Sequence, residues 1–252
     1  MDFKKQFFPE SKFGGFSNVD GTIVFYNRVN ALLDPSDIVV DIGCGRGAYG
    51  EDPIPFRRAL RILKGKCEKV IGIDLDPNAS QNPHIDVFRL ITGEHWPVER
   101  ESANLCLADN VLEHVNEPEH FFSECRRILK PGGYLCIRTP NVLSYFGLFS
   151  KLVPNRGHVR TLQKVKEQVV EQDVFPTRYR CNTIGALRRI LEKYGFEHYV
   201  YGYEAEPAYL SFSRLFYAAG VLFARFTPNL FRVGIHAFGV KVNGVQTSAD
   251  QR

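Results

Sequence analysis

Several things this 252-residue chain lacks narrow what it can be. It has no strong charge bias: 32 Lys and Arg against 28 Asp and Glu give a formal net charge of only +4. The basic residues nevertheless cluster, and a nucleic-acid reading could use those clusters as an electrostatic track. Its continuous apolar run, Leu215 to Ala224, is half the roughly twenty residues that a helix needs to cross a bilayer. Six cysteines occur with no C-x-x-C, and no metal-ligand spacing, internal repeat or low-complexity tract is present. Zinc ribbons, thioredoxin-like redox sites and solenoids are thereby excluded. The cysteines read instead as small buried hydrophobes in a reducing compartment. Met1 to Lys5 carries no apolar signal core, so the expected location is cytoplasmic. What the chain does have is 44% apolar residues, enough to bury a substantial core.

The most informative stretch is Val39-Val40-Asp41-Ile42-Gly43-Cys44-Gly45-Arg46-Gly47. An apolar strand ends in a carboxylate and turns through glycines at alternate positions. Such a turn lets the main chain approach a ligand and aim N–H groups at it. Gly43, Gly45 and Ala48 satisfy a loose dinucleotide fingerprint. Asp41 argues against that reading, because a carboxylate two residues before the first glycine repels a pyrophosphate and suits a cation. A turn that merely closes a strand and helix is the bland alternative. Downstream, Lys69 to Asp76 reads as a second strand ending in acid, and Asp74 there can accept both hydroxyls of a ribose. Asp76-Pro77 then reads as a turn and helix start. Ala103 to Ala108 is a buried strand, followed by Asp109-Asn110-Val111-Leu112-Glu113-His114-Val115. Pro118 opens a helix whose Phe121, Phe122, Cys125, Ile128 and Leu129 form one apolar stripe. Leu129-Lys130-Pro131-Gly132-Gly133 stops it, and Tyr134 to Thr139 is a further strand.

The segment 41–47 resembles motif I of the class I S-adenosylmethionine-dependent methyltransferases. Leu112 to Val115 and the string from Arg126 to Asn141 are similar to later segments of the same family. The likeness covers roughly residues 35 to 200 and is nearest to the ubiquinone-biosynthesis O-methyltransferases and relatives of glycan and lipid pathways. It implies an α/β fold, a doubly wound and mostly parallel Rossmann-like sheet whose final strand pair is antiparallel, supplied by Phe196 to Glu204 and Gly234 to Val242. It implies S-adenosylmethionine as cofactor, held by Asp41, Gly43, Cys44, Gly45, Gly47, Asp74, Leu75, Asp109 and Asn110. It also implies a single methyltransferase domain, divided into an N-terminal cap (1–35), a cofactor-binding half (36–140), an acceptor loop or lid (141–182) and an apolar helical insertion (205–232). The chain departs from the pattern in three places. Pro53 and Pro55 interpose a loop and delay the next helix to about Pro55. Thr92 and Gly93 stand where an acid often meets adenine, and Ala103-Asn104 replaces the usual Phe-Asp.

The acceptor is expected to be a small molecule, anionic or linked to lipid or glycan, methylated at oxygen. A hydroxyl acceptor needs a base, and His158, in an H-x-R element that relatives share, and His114 are the candidates. Basic residues after the fifth strand (Arg156, Arg160, Lys164, Lys166) and at Arg178, Arg180, Arg188 and Arg189 favour an anionic substrate. The earlier run of Arg57, Arg58, Arg61, Lys64 and Lys66 reads as a solvated face. Asn182-Thr183 caps a helix through Tyr194, ended by Gly195. Arg214 and Arg225, eleven residues apart, bracket the apolar run on one helical face with Phe212, Phe216, Phe223 and Phe226. The segment 209–232 then reads as an interfacial helix giving peripheral contact at the inner membrane face, as a lid over the acceptor, or as a homodimer contact. An RNA methyltransferase, a non-catalytic cofactor-binding protein and a dinucleotide dehydrogenase stay as alternatives. No N-P-P-Y signature and no appended RNA-binding module is present, so nucleic acid is not the expected partner.

Overall fold

Apolar residues alternate in side along the first strand, and that alternation decides the layering. In β1 (Ile38–Ile42), Val39 joins one buried cluster with Phe25, Val29 and Leu105, whereas Val40 and Ile42 join a second with Phe122 and Leu187. A strand buried on both faces needs covers on both, which is the sandwich of a doubly wound sheet. The computed structural model describes residues 3–144, 176–207, 210 and 213–242. Its strands β1, β2 (Lys69–Asp74), β3 (Val87–Leu90), β4 (Ala103–Asp109), β5 (Leu129–Pro140), β6 (Phe196–Tyr203) and β7 (Gly234–Lys241) form one sheet in the order β3-β2-β1-β4-β5-β7-β6. Pairings from β3 to β5 are parallel, and β7 is antiparallel to both neighbours. The mostly parallel sheet with an antiparallel final pair is therefore as expected.

After α1 (Phe3–Phe7), one face carries α2 (Gly21–Leu32) and α3 (Pro55–Arg61), and α2 supplies Phe25, Tyr26 and Val29 to the core. Asp20 caps α2, accepting from the N–H groups of Thr22 and Ile23 at 3.1 Å each. α3 begins at Pro55, where the prolines put it. On the other face, α4 (Pro118–Ile128) buries Phe121, Phe122, Cys125 and Ile128, and α5 (Ile184–Lys193) buries Leu187, Ile190 and Leu191. Thr183 caps α5 through the Ala186 N–H at 3.1 Å, and Gly195 follows it in the left-handed region at φ 65°. α6 (Arg214–Phe226) lies between β6 and β7.

Two local readings change. After β2 there is only a 3-10 turn, Pro77–Gln81, in place of a helix. Asn82 precedes Pro83, which disfavours the α region, and its side chain is drawn inward by the glycine loop. β5 starts at Leu129 instead of Tyr134, because the main chain continues in pairing through the Gly132 turn, with a register irregularity opposite Ala103 and Leu105. Asn104, where the family pattern has an acid, accepts from the Ile38 N–H at 3.1 Å and from Lys130 Nζ at 2.8 Å, a structural tie between strands. Of the cysteines, five are buried and Cys67 is half-buried; all are free thiols.

Candidate cofactor and acceptor site

Parallel strands deliver their C-terminal ends to one edge, and here three neighbours carry aspartate at or next to that end: Asp74 last on β2, Asp41 last but one on β1 and Asp109 last on β4. Strand order reverses between β1 and β4, so a crevice opens at that switch point. The glycine loop folds back over the end of β2. Gly43 and Cys44 donate their N–H groups to the Ile73 carbonyl at 2.7 and 3.3 Å, and Gly45 N–H donates to Asp74 Oδ2 at 2.9 Å. Gly43, Gly45 and Gly47 have φ of 64°, 54° and 82°, which L side chains rarely adopt. A Cβ on Gly45 would meet nothing within 4 Å, so this glycine faces open space, whereas one on Gly47 would come 2.5 Å from Asn82 Oδ1. Asn82, buried, donates to the carbonyls of Cys44 and Gly45 at 2.9 and 3.2 Å and so clamps the loop. The Cys44 side chain is buried towards Gly72, leaving only its backbone to the crevice.

The electrostatics of this mouth are unusual. Burial, with the nearby charges of Asp109 and Asp74, pushes the Asp41 carboxyl up to about 7, partly countered by Arg61. Asp109 goes the other way: burial would raise it, but Arg138 overcomes that and holds it below the usual carboxylate range. Arg138 Nε and Nη2 reach Asp109 Oδ1 and Oδ2 at 2.5 and 2.8 Å, Tyr26 Oη donates at 2.9 Å, and Asn110 Nδ2 donates at 3.1 Å. Four hydrogen bonds fill the carboxylate, so Asp109 contributes its field to the crevice but no free lone pair. Asn110 itself is exposed in the left-handed region at φ 57°. Asp74 keeps acceptor capacity, since each of its oxygens takes one backbone N–H, from Gly45 and from Asp76. Leu75, beside it, is 70% exposed although apolar.

In the first basic run Lys64 and Lys66 are exposed as expected, whereas Arg57 and Arg61 depart from the reading as a solvated face. Arg57 bridges Asp52 and Asp20, at 2.6 and 2.8 Å, and Arg61 lies 3.5 Å from Asp109 and over the ring of Tyr49. These two cations tie α3 to the start of α2 and to the end of β4, because their side of the helix faces carboxylates instead of water.

Beyond β4, the Leu112–Val115 segment meets the chain that leads into α5. Glu113 is buried, its carbonyl accepts from the N–H groups of Arg178 and Tyr179 at 2.6 and 3.1 Å, and its Oε2 accepts from Thr139 Oγ1 at 3.1 Å. Burial raises the Glu113 carboxyl above its ordinary value. Asn182 Nδ2 donates to the same Thr139 hydroxyl at 2.6 Å. Arg178 and Arg180 stay exposed. His114 is half-buried with Nδ1 3.3 Å from the Pro176 carbonyl. His158, with Arg156, Arg160, Lys164 and Lys166, lies outside the described residues; Thr92 and Gly93 are exposed beyond β3.

Three groups at the mouth escaped sequence reasoning, and a further buried carboxyl, Glu204, lies on the same edge of the sheet. Tyr26 and Asn82 give no signal in a single sequence. Arg138 did: it is a cation inside the apolar run Tyr134 to Thr139. Glu204 follows β6, which runs parallel to β5 and so ends at the same edge. Burial pushes its carboxyl up to about 7, and its Oε2 is buried without a hydrogen-bond partner.

Taken as a donor set, the mouth fits S-adenosylmethionine. Asp41 suits the sulfonium and ammonium charge, Asp74 has acceptor capacity for a ribose diol, Leu75 offers an apolar surface for a purine, and Gly45 leaves space for close backbone approach. Comparison with known proteins agrees. The methyltransferase-domain family model matches residues 24–200. The ubiquinone biosynthesis O-methyltransferase of Rhizobium rhizogenes is 32% identical over 103 residues, 41% of this chain and 41% of that protein. A probable S-adenosylmethionine-dependent methyltransferase of Mycolicibacterium smegmatis is 30% identical over 127 residues, 48% of this chain and 45% of the relative. The matches thus span less than half the length of these relatives. A crystal structure of a Thermotoga maritima S-adenosylmethionine-dependent methyltransferase, described as a possible histamine N-methyltransferase, shares the fold at TM-score 0.53 and 20% identity, covering 87% of this chain and 89% of that one. With a family model covering most of the chain and the switch-point crevice where the motifs placed it, this chain belongs to the methyltransferase-domain family.

Proposed function

We propose that the chain is an S-adenosylmethionine-dependent methyltransferase that methylates an oxygen of a small acceptor, anionic or linked to lipid or glycan. The observation that carries the reading is a division of charge along one edge of the sheet. Carboxylates line the end nearest β1 and β2, and the N–H groups of Arg178 and Tyr179 tie that segment to the Glu113 carbonyl beyond the end of β4, with Arg178 and the adjoining Arg180 exposed. A cationic cofactor and an anionic acceptor would then each meet opposite charge, and the two sites adjoin at Glu113. The bound cofactor supplies an electrophilic methyl group.

The protein's own part is mostly positional. Asp41, the glycine-loop backbone (Gly43, Cys44, Gly45, Gly47), Asp74, Leu75 and Asn110 hold the cofactor, and Asp109 adds its field. Segment 141–182, of which 145–175 lie outside the described residues, is the acceptor loop of this reading. His114, through the ring nitrogen not facing Pro176, and His158 are the candidate bases for the acceptor hydroxyl, and Glu204 joins them as a buried carboxyl near neutrality. Incubating the protein with methyl-labelled cofactor and a fractionated cell extract tests the reading. Label is expected in the lipid or anionic small-molecule fraction, whereas label confined to RNA would overturn it.

A further inference from the structure

We infer that α6 is a docking helix for an anionic phospholipid surface. The helix is fixed by its inner face. Tyr217 is buried there, with its ring 5.4 Å from that of Phe7 and 6.1 Å from that of Phe3, and a Cβ on Gly220 would come within 2.7 Å of Leu210. Its opposite face should therefore be polar if it met only water. It is apolar instead. Leu215, Ala219, Leu222 and Phe226 fall at i, i+4, i+7 and i+11, a stripe pointing directly away from Tyr217, and the three large side chains are 78%, 61% and 73% exposed. Phe216 and Phe223 widen the stripe, and Leu230 and Phe231, in the turn that follows, are exposed as well. A contiguous exposed patch of this kind marks an interaction surface.

Charge selects the occupant. From Pro207 to Ala249 the sequence contains no Asp or Glu. Arg214 and Arg225 are both exposed and lie on one flank of the stripe, nearly three helical turns apart. At 13 residues the helix is about 20 Å long, too short to cross a bilayer and suited to lying in its interface. Apolar residues would enter the acyl boundary while the arginines meet lipid phosphates. A second copy is a poorer occupant. A two-fold contact along this stripe would set Arg214 against the partner's Arg225 at both ends, with no acid in the segment to offset the repulsion. The inference is independent of which acceptor is methylated, since vesicles free of acceptor suffice to test it.

The experiment is vesicle flotation of the whole protein with phosphatidylcholine alone and with phosphatidylcholine containing about one third phosphatidylglycerol. It compares wild type, Leu222→Glu/Phe226→Glu and Arg214→Gln/Arg225→Gln, with cofactor titration as a control for folding, because none of these positions lies at the mouth. Wild type should float with the anionic vesicles, and the double Glu variant should lose on the order of a hundredfold in partitioning while binding cofactor normally. The Gln pair should lose the preference for anionic over neutral vesicles. Failure of wild type to float, or equal flotation of the Glu variant, would overturn the inference. So would a wild-type dimer in sedimentation velocity that the Glu variant makes monomeric, since the stripe would then be a self-association face.

Discussion

Asp41→Asn separates the stability of the fold from its affinity for a cationic ligand, and the two should move in opposite directions. In the free protein the Asp41 carboxyl is moved from its ordinary 3.8 to about 7, by burial first and by its acidic neighbours second. Below about pH 4 both folded and unfolded chains hold the proton, so aspartate and asparagine behave alike. Between about pH 4 and 7 the unfolded chain ionises while the folded one does not, and the wild type loses stability as pH rises. Above 7 the loss is complete. At 1.36 kcal/mol per decade the upper bound is about 4 kcal/mol. Asp41 keeps some contact with solvent, which screens the charge, so about 2 kcal/mol is the expected gain for Asp41→Asn at pH 8. For a chain of this size that is a rise in Tm of roughly 4–8 °C. Thermal unfolding followed by circular dichroism from pH 4 to 9 reads it directly, and calorimetry of S-adenosylmethionine binding should show the variant at least tenfold weaker. The reasoning fails if the variant melts at or below wild type at pH 8, or if the difference between them does not grow between pH 4 and 7.

Three further outcomes follow from the same geometry. Arg138→Met leaves the Asp109 carboxylate buried without its main partner and should cost about 3–5 kcal/mol in denaturant unfolding; a cost under about 1 kcal/mol would mean that Tyr26 and Arg61 suffice. His236, buried against Phe25 and stacked on Tyr203, is pushed down to about 3 by burial first and by Arg138 second, so it stays neutral in the fold while the unfolded chain protonates below 6.5. His236→Phe should therefore remove roughly 2–3 kcal/mol of the acid-induced loss of stability at pH 4.5, and an unchanged acid limb would place the loss elsewhere. Glu204→Gln should slow methyl transfer about tenfold or more and abolish a rise in kcat/KM centred near pH 7; a full rate with an unaltered profile removes Glu204 from the proton path.

The cofactor end of the molecule was legible because its signals are local. Val39 to Gly47 carries both the strand alternation and the positive-φ glycines, and Asp74 sits where the second strand must end. Helix limits at Pro55, Pro118 and Thr183 were legible for the same reason, since prolines and caps act on adjacent residues. What escaped depends on pairings far apart in the chain. Tyr26 meets Asp109 across 83 residues, and Asn82 reaches Cys44 across 38. Asp109 was identified at the site, but that its lone pairs are filled from β5 could only be seen once Arg138 stood opposite it in register. Arg57 and Arg61 were misread because counting charges does not tell which way a helix faces; the acids that claim them come from α2's cap and from β4, whereas Lys64 and Lys66 are exposed as expected.

At the centre of the account is the claim that the carboxylate mouth selects a cationic nucleoside over a pyrophosphate. Isothermal titration of the purified protein with S-adenosylmethionine and, separately, with a nicotinamide dinucleotide tests it most directly. Saturable one-to-one binding of the first, strengthening as pH rises through 7 and lost in Asp74→Ala, with no heat from the second, is the predicted result. Binding of the dinucleotide without binding of S-adenosylmethionine would contradict it.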